Sequence, residues 1–160
     1  MKALVVYDSM YGNTEKIALA IAGALGSPDE VRTLRAAEAN MSDLEGIDLL
    51  VMGSPTQAGR PIKPTKVFLD KIPPEAFQNV RVACFDTRFS ETDSGFWLRL
   101  IIRFFGYAAG RIANKLEGKG GLRLVTPEGF IVVDTQGPLR EGELERAADW
   151  GKQLHDRMSS

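Results

Sequence analysis

Short apolar runs alternate with helical patterns along this chain, and this alternation is the feature that most constrains the fold. The runs are apolar throughout rather than at every second residue, which is typical of parallel strands covered on both faces. They occupy residues 3–7, 47–52, 80–85, 122–125 and 130–133, with a weaker run at 31–34. Because parallel strands need long crossover connections, this order predicts an α/β fold, a doubly wound five-stranded parallel sheet with helices on each side.

The segments between the runs carry helical signals. Ile17, Ile21 and Leu25 are spaced by four residues, and the pattern ends at Gly26 and Pro28, as a helix terminus should. Similar patterns predict helices over residues 65–72 and 106–118 and from Glu141 onward. One side of the last helix is expected to carry Leu144, Ala148, Gly151 and Leu154.

Composition limits the size and environment of the protein. The 160 residues, 44% of them hydrophobic, suffice for one buried core and are too few to promise two, so we expect a single domain over residues 1–160. The single cysteine, Cys84, excludes an internal disulfide framework, and its apolar surroundings predict a buried position.

His155 has no second histidine or cysteine partner for a metal site, so we expect a solvated helix residue and no metal. No signal-peptide pattern or bilayer-length apolar stretch is present, which favours a cytoplasmic protein.

The net charge of −1 conceals a basic region. Residues 99–123 contain six arginine and lysine residues and one glutamate. Basic positions spaced by three or four residues are typical of the solvated face of a helix, and contact with an acidic partner or anionic lipid is the alternative. We expect no nucleic-acid partner.

The loop "DSMYGNTEK", residues 8–16, lies between the first apolar run and the first helix. The first turn of a helix leaves its N–H groups unpaired and carries partial positive charge, and Gly12 allows a close approach of the backbone to a ligand. Ser9, Asn13 and Thr14 add short donors. The loop therefore predicts a phosphate site built from neutral donors. An ordinary strand-to-helix turn capped by Ser9 or Asn13 is the alternative.

"DSMYGNTEKIA" resembles the phosphate loop of the flavodoxin family, and its Met-Tyr variant is similar to the flavodoxin-like domains of diiron flavoproteins. "GSPT" at 53–56 and "QGPLREGELERAADWG" at 136–151 also fit that family. The resemblance implies strand order 2-1-3-4-5 and flavin mononucleotide (FMN) as cofactor, bound where the strand order reverses. The phosphate-loop residues that it implies are Ser9, Met10, Tyr11, Gly12, Asn13 and Thr14.

The resemblance implies two further loops around the flavin ring. The second loop contributes Pro55, Thr56, Gln57, Ala58 and Gly59; a loop merely bent by prolines is the alternative. The third contributes Asp86, Thr87, Arg88 and Phe89, with Phe89 or Trp97 as the aromatic residue on the outer face of the ring. Positive charge on Arg60 and Arg88 would favour an anionic reduced flavin, so we expect a less reducing site than in a typical flavodoxin.

Residues 96–109 contain eleven apolar residues in fourteen, more than a surface helix usually carries. A lid or core segment over the flavin is the first interpretation, a partner or dimer contact the second, and a membrane-surface contact the third.

The sequence thus favours an FMN-binding protein that shuttles electrons between redox partner proteins, with no catalytic residues of its own. The alternatives are an FMN-dependent NAD(P)H:quinone-type oxidoreductase and a flavodoxin-like domain with a binding or regulatory role and weak or no flavin. A phosphorylated signalling receiver is disfavoured, because Gly53 and Ser54 follow the third strand where such a domain needs an aspartate.

Overall fold

The computed structural model describes residues 1–90, 95–97, 99–100 and 106–160. Its helices are α1 (Asn13–Leu25), α2 (Lys63–Lys71), α3 (Ala108–Glu117) and α4 (Glu143–Met158), with a 3₁₀ turn at Met41–Leu44. Its strands are β1 (Ala3–Tyr7), β2 (Val31–Arg35), β3 (Leu49–Gln57), β4 (Arg60–Pro61), β5 (Arg81–Phe89), β6 (Leu122–Arg123) and β7 (Glu128–Val132).

The strands form a sheet in the order β2-β1-β3-β5, with β6 and β7 both beside β5. All of these pairs are parallel, and the two-residue strand β4 is antiparallel to the end of β3. With β4 set aside, the predicted order 2-1-3-4-5 is confirmed. The fifth position is divided between β6 and β7, and the residues between them include Pro127, which has no N–H for the strand ladder.

Both faces of the sheet are covered, which explains why its strands are apolar throughout. Leu4 and Val6 of β1 belong to a core cluster that also contains residues of α2 and α3. Val5, the residue between them, belongs to a second cluster with residues of α1 and α4. Cys84 lies in the first cluster and is buried, as expected.

The buried face of α4 matches the predicted one at Gly151 and Leu154 and differs from it at Leu144 and Ala148. Leu144 is 42% exposed, whereas Ala147, Trp150, Gly151 and Leu154 are buried. Trp150 makes edge-to-face contacts with Phe85 and Phe130. The side of the helix that carries Trp150, and not the side that carries Ala148, therefore faces the sheet. His155 is exposed near the end of this helix.

Two strands extend farther than the apolar runs predict. β3 continues through residues 53–57 and β5 through residues 86–89, positions that we expected in loops. The pairing between them continues through Ser54–Asp86 and Pro55–Thr87, so polar residues remain in extended backbone. As a result, the ends of these strands carry the site residues on a rigid support.

The apolar segment 96–109 falls partly outside the described residues, which omit 98 and 101–105. Phe96 and Trp97 are described and are 70% and 77% exposed. Within the described part of the chain, no helix is long and apolar enough to cross a membrane.

Candidate functional site

A cavity of about 300 Å³ opens at the carboxyl ends of β1, β3 and β5. The chain leaves β1 toward β2 on one side, whereas β3 lies on the other side, so strand order reverses here. Ligands of doubly wound sheets bind at such a switch point.

Most of the predicted site residues line this cavity. They are Ser9, Met10, Tyr11, Asn13, Thr14, Pro55, Thr56, Gln57, Ala58, Gly59, Thr87, Arg88 and Phe89. Gly12, Asp86 and Trp97 do not line it. The cavity also includes Tyr107, Val132 and Thr135, which the sequence did not indicate.

The loop that begins at Ser9 borders the cavity and leads through Gly12 into the first turn of α1. Gly12 immediately precedes α1 with φ at 87°, a left-handed conformation that glycine adopts readily. The Ser9 hydroxyl accepts the Gly12 N–H at 3.0 Å. Among the residues that the structure describes, none accepts a hydrogen bond from the amides of Asn13, Thr14 or Glu15. These amides lie at the positive end of the helix dipole and are available to an anion.

Side chains from distant segments hold this loop in place. The side-chain Nδ2 of Asn13 donates to the backbone carbonyl of Gln136 at 3.1 Å. The Thr14 and Thr87 hydroxyls are 2.8 Å apart in a buried contact. A Cβ on Gly137 would lie 2.6 Å from Asn13 Oδ1, so glycine is needed there for Asn13 to fit. This contact gives the "QGPL" segment a physical role in the site.

Arg35, at the end of β2, contacts residues on both sides of the loop. Arg35 donates to Glu15 at 2.6 Å and to the Ser9 carbonyl at 3.3 Å, and its Nη1 lies 3.5 Å from an Asp8 carboxylate oxygen. Tyr7 donates to the same Glu15 at 2.9 Å. Burial, together with the Glu15 contact, raises the pKa of the Tyr7 hydroxyl. Sequence reasoning missed Arg35, because nothing in the local pattern of β2 indicates a contact with residues 8–15.

The second loop is a tight hairpin between β3 and β4. Ala58 and Gly59 both have positive φ values, 47° and 73°. Positive φ at both central residues matches the type I′ turn that suits a two-residue hairpin. The Gln57 side-chain amide lies 2.7 Å from the Met10 sulfur and so connects this loop with the phosphate loop.

Asp86, Arg88 and Tyr107 form a cluster on the other side of the cavity. Asp86 is fully buried and accepts hydrogen bonds from Arg88 Nε at 2.5 Å, Arg88 Nη2 at 2.9 Å and the Ala109 amide at 2.9 Å. Burial raises the pKa of the Asp86 carboxyl above its usual value, against the opposing effect of Arg88. The Arg88 guanidinium carbon lies 3.4 Å from the centroid of the Tyr107 ring.

Tyr107 is thus an aromatic residue on the cavity wall that sequence reasoning missed. It lies in the apolar segment 96–109, whose first interpretation was a lid or core segment over the flavin, but no motif singles out Tyr107 itself as a site residue. Phe89, one of the two expected aromatic residues, lines the cavity, whereas Trp97 lies exposed outside it.

Residues 5–151 match the model of the flavodoxin family. This chain belongs to the flavodoxin family. Proteins of this family bind FMN.

Solved structures resemble this flavodoxin-family chain over its whole length. A flavodoxin from the domain Archaea is 22% identical with a TM-score of 0.75, and the match covers 100% of both chains. Oxidised flavodoxin 1 from Bacillus cereus is 20% identical with a TM-score of 0.76, over 98% of both chains. A rubredoxin oxygen:oxidoreductase from Desulfovibrio gigas is 19% identical with a TM-score of 0.72, over 99% of this chain but only 36% of the other. At these identities the likeness shows the fold.

The residues at the site fit FMN. Backbone amides without acceptors suit the phosphate, since they supply hydrogen bonds and positive potential without a side-chain cation. The neighbouring cavity is bordered by Phe89, Tyr107 and Pro55, which offer apolar surface to a flat ring.

Proposed function

We propose that this protein is an electron carrier that binds FMN in the cavity at the switch point and passes electrons between redox partner proteins. FMN, when bound, supplies one- and two-electron redox chemistry. The observation that carries the proposal is the set of amides at the start of α1 that have no acceptor among the described residues and lie beside a ring-sized cavity.

The roles of the residues follow from their positions. The amides of Asn13, Thr14 and Glu15 would hold the phosphate, and the Thr14 hydroxyl would donate to it when Thr87 is the donor within the threonine pair. The hairpin at 55–59 would flank the ring on one side, and Phe89 and Tyr107, which also line the cavity, would exclude water from the other. The exposed side chains of Met10 and Tyr11, 51% and 48% accessible, provide apolar contact surface at the rim for a partner.

The sequence analysis expected positive charge from both Arg60 and Arg88 near the flavin ring, and the structure changes that expectation for Arg88. Arg88 is paired with the buried Asp86, so its positive charge is largely compensated. Arg60 follows the tight turn and is exposed, and we expect it to be the cation that affects the reduction potential.

A reduction assay separates a carrier from an enzyme. Purified protein loaded with FMN is incubated with NADH or NADPH and a soluble quinone, and nicotinamide oxidation is followed by absorbance. A carrier shows no sustained oxidation, yet after reduction by dithionite it transfers electrons to cytochrome c. Sustained turnover with quinone would contradict the carrier proposal in favour of a quinone-type oxidoreductase. Absence of a flavin absorption band after loading and desalting would contradict both.

A further inference from the structure

The side chain of Arg88 is fixed by a bidentate contact. Arg88 and Asp86 are two residues apart on β5, so both side chains leave the same face of the strand. Nε and Nη2 of Arg88 donate to the two carboxylate oxygens of Asp86 at 2.5 Å and 2.9 Å. Such pairing fixes the plane of the guanidinium as well as its position.

Gly129 on the neighbouring strand provides the space for this guanidinium. Gly129 pairs in register with Asp86. A Cβ at residue 129 would lie 2.3 Å from both Cζ and Nε of Arg88, which is closer than real contacts allow. The φ of Gly129 is not in the left-handed region, so the position of Arg88, and not the backbone, requires glycine here.

The Tyr107 ring is held by the same pair. Its centroid lies 3.4 Å from Arg88 Cζ, and the ring lines the cavity. Its backbone is also anchored, because Tyr107 is the N-cap residue of α3 and the next two amides are fixed. Ala108 donates to the Thr56 hydroxyl at 3.0 Å, and Ala109 donates to Asp86 at 2.9 Å. Asp86 therefore fixes Tyr107 twice, at its ring through Arg88 and at its backbone through the start of α3.

The pair presents little net charge to the cavity. An ionised Asp86 lies within 2.9 Å of the guanidinium nitrogens, so the two charges act at a distance as a dipole. Arg88 lines the cavity and contacts the Tyr107 ring. The position of its guanidinium therefore affects the shape of the cavity more than its charge affects the potential there.

We infer that Asp86 and Arg88 are positioning residues, a neutral clamp that fixes the Tyr107 ring as a wall of the FMN site. The Asp86 carboxylate offsets most of the positive charge that Arg88 would otherwise present to the cofactor. The inference rests on the proposed function, because it concerns the site that binds FMN.

The first test is FMN affinity, measured by quenching of flavin fluorescence on titration of the apoprotein. A clamp requires that Arg88→Lys, Asp86→Asn and Gly129→Ala each weaken binding by roughly three- to tenfold, since the aromatic wall is displaced. Each variant also changes the shape of the visible absorption band of bound FMN. If Arg88 instead acted by charge, Asp86→Asn would strengthen binding of the anionic cofactor and Arg88→Lys would leave it unchanged. Either of those results overturns the clamp.

A double-mutant cycle with Tyr107→Ala is the second test. The clamp requires that Arg88→Lys has no further effect on FMN affinity once Tyr107 has been truncated. Arg60→Lys, at an exposed arginine next to the hairpin turn, is the matched control and should act equally in both backgrounds. An equal loss from Arg88→Lys with and without Tyr107 overturns the inference.

The same cycle in the apoprotein separates this inference from the proposed function. The contact between Arg88 and Tyr107 exists without ligand, so their effects on the free energy of unfolding should be non-additive in urea. A wild-type protein that binds no FMN but shows this coupling would contradict the proposed function and support the clamp. Additive effects in the apoprotein would overturn the clamp whether or not FMN binds. If Asp86→Asn does not fold, Arg88→Lys alone decides through this cycle.

Discussion

Thr14 is the residue where the phosphate loop meets the ring side of the cavity. Its hydroxyl contacts the Thr87 hydroxyl at 2.8 Å, and both side chains are buried. With Thr87 as donor, the Thr14 proton remains available to an oxyanion. The Thr14 hydroxyl is therefore the donor toward the phosphate, and its proton stays available whether or not Thr87 is present.

Thr14→Val should weaken FMN binding about tenfold, because it removes a hydrogen bond to a charged group. Binding of riboflavin, which has no phosphate, should not change. Thr87→Val is the matched control: it breaks the same threonine pair, at a cost of about 1 kcal/mol in unfolding free energy, but leaves the Thr14 hydroxyl in place. Dissociation constants for both ligands, from fluorescence quenching, provide the measurement. Equal losses of FMN affinity in the two variants would contradict this role of Thr14.

At the scale of the elements, α1 and α4 pack closely on one face of the sheet. A Cβ on Gly151 of α4 would lie 2.6 Å from the Ile21 carbonyl oxygen of α1 and 3.1 Å from Ala24 Cβ. Gly23 lies inside α1, where a Cβ would meet nothing within 4 Å. The two glycines therefore occupy similar helical backbones in different surroundings.

The same substitution should have opposite effects at these two glycines. Gly23→Ala should stabilise the protein by about 0.5–1 kcal/mol through helix propensity. Gly151→Ala should destabilise it by about 1–3 kcal/mol, because the helices must move apart. Urea unfolding of the apoprotein measures both. Stabilisation by Gly151→Ala would show that α1 and α4 are farther apart than described.

The start of α4 depends on a buried carboxylate. Glu143 is 2% exposed and accepts hydrogen bonds from Arg146 at 2.6 Å, the Ile131 amide at 2.9 Å and Arg140 at 2.8 Å. Burial alone would raise the pKa of Glu143, but Arg146, the Ile131 amide and Arg140 together lower it below the usual value. A carboxyl with a lowered pKa in the folded state stabilises the protein fully above the pKa of the unfolded state. That contribution is lost as the pH falls through the folded pKa.

Glu143→Gln should therefore destabilise the protein near neutral pH, and the difference from wild type should shrink in the acid range below the ordinary pKa of glutamate. Glu145→Gln, an exposed residue in the same first turn, is the control and should show a small difference at every pH. Urea unfolding across this pH range gives the comparison. A difference that grows toward acid pH would contradict the ionised, hydrogen-bonded Glu143.

The strands β3 and β5 and the helix α4 show which structural features the hydrophobic pattern of the sequence does not predict. Apolar runs located the buried parts of β3 and β5, because burial on both faces leaves a continuous signal. They could not show that both strands extend to Gln57 and Phe89, since pairing between strands, and not hydrophobicity, determines where the ladder ends. Spacing likewise placed the last helix but missed Trp150, whose aromatic partners belong to β5 and β7.

At the scale of the molecule, the alternation of elements predicted the doubly wound sheet. The resemblance that the loop at 8–16 carries implied the strand order and the location of the cavity. Arg35 and the individual role of Tyr107 within the segment 96–109 could not be predicted. Their roles depend on which distant strand ends and helix starts the fold brings together, and no spacing in the sequence encodes that. Arg88 lines the cavity, but the sequence did not indicate its pairing with Asp86, because that contact becomes evident only when both side chains are seen on one face of β5.

Calorimetric titration of the apoprotein with FMN, and then with riboflavin, tests most directly whether the start of α1 binds a phosphate beside a flavin cavity. We predict one equivalent of FMN bound, with an affinity more than about tenfold higher than that for riboflavin, because only FMN engages the amides of Asn13, Thr14 and Glu15. Folded protein that takes up no FMN, or that binds the two flavins equally, would contradict the account.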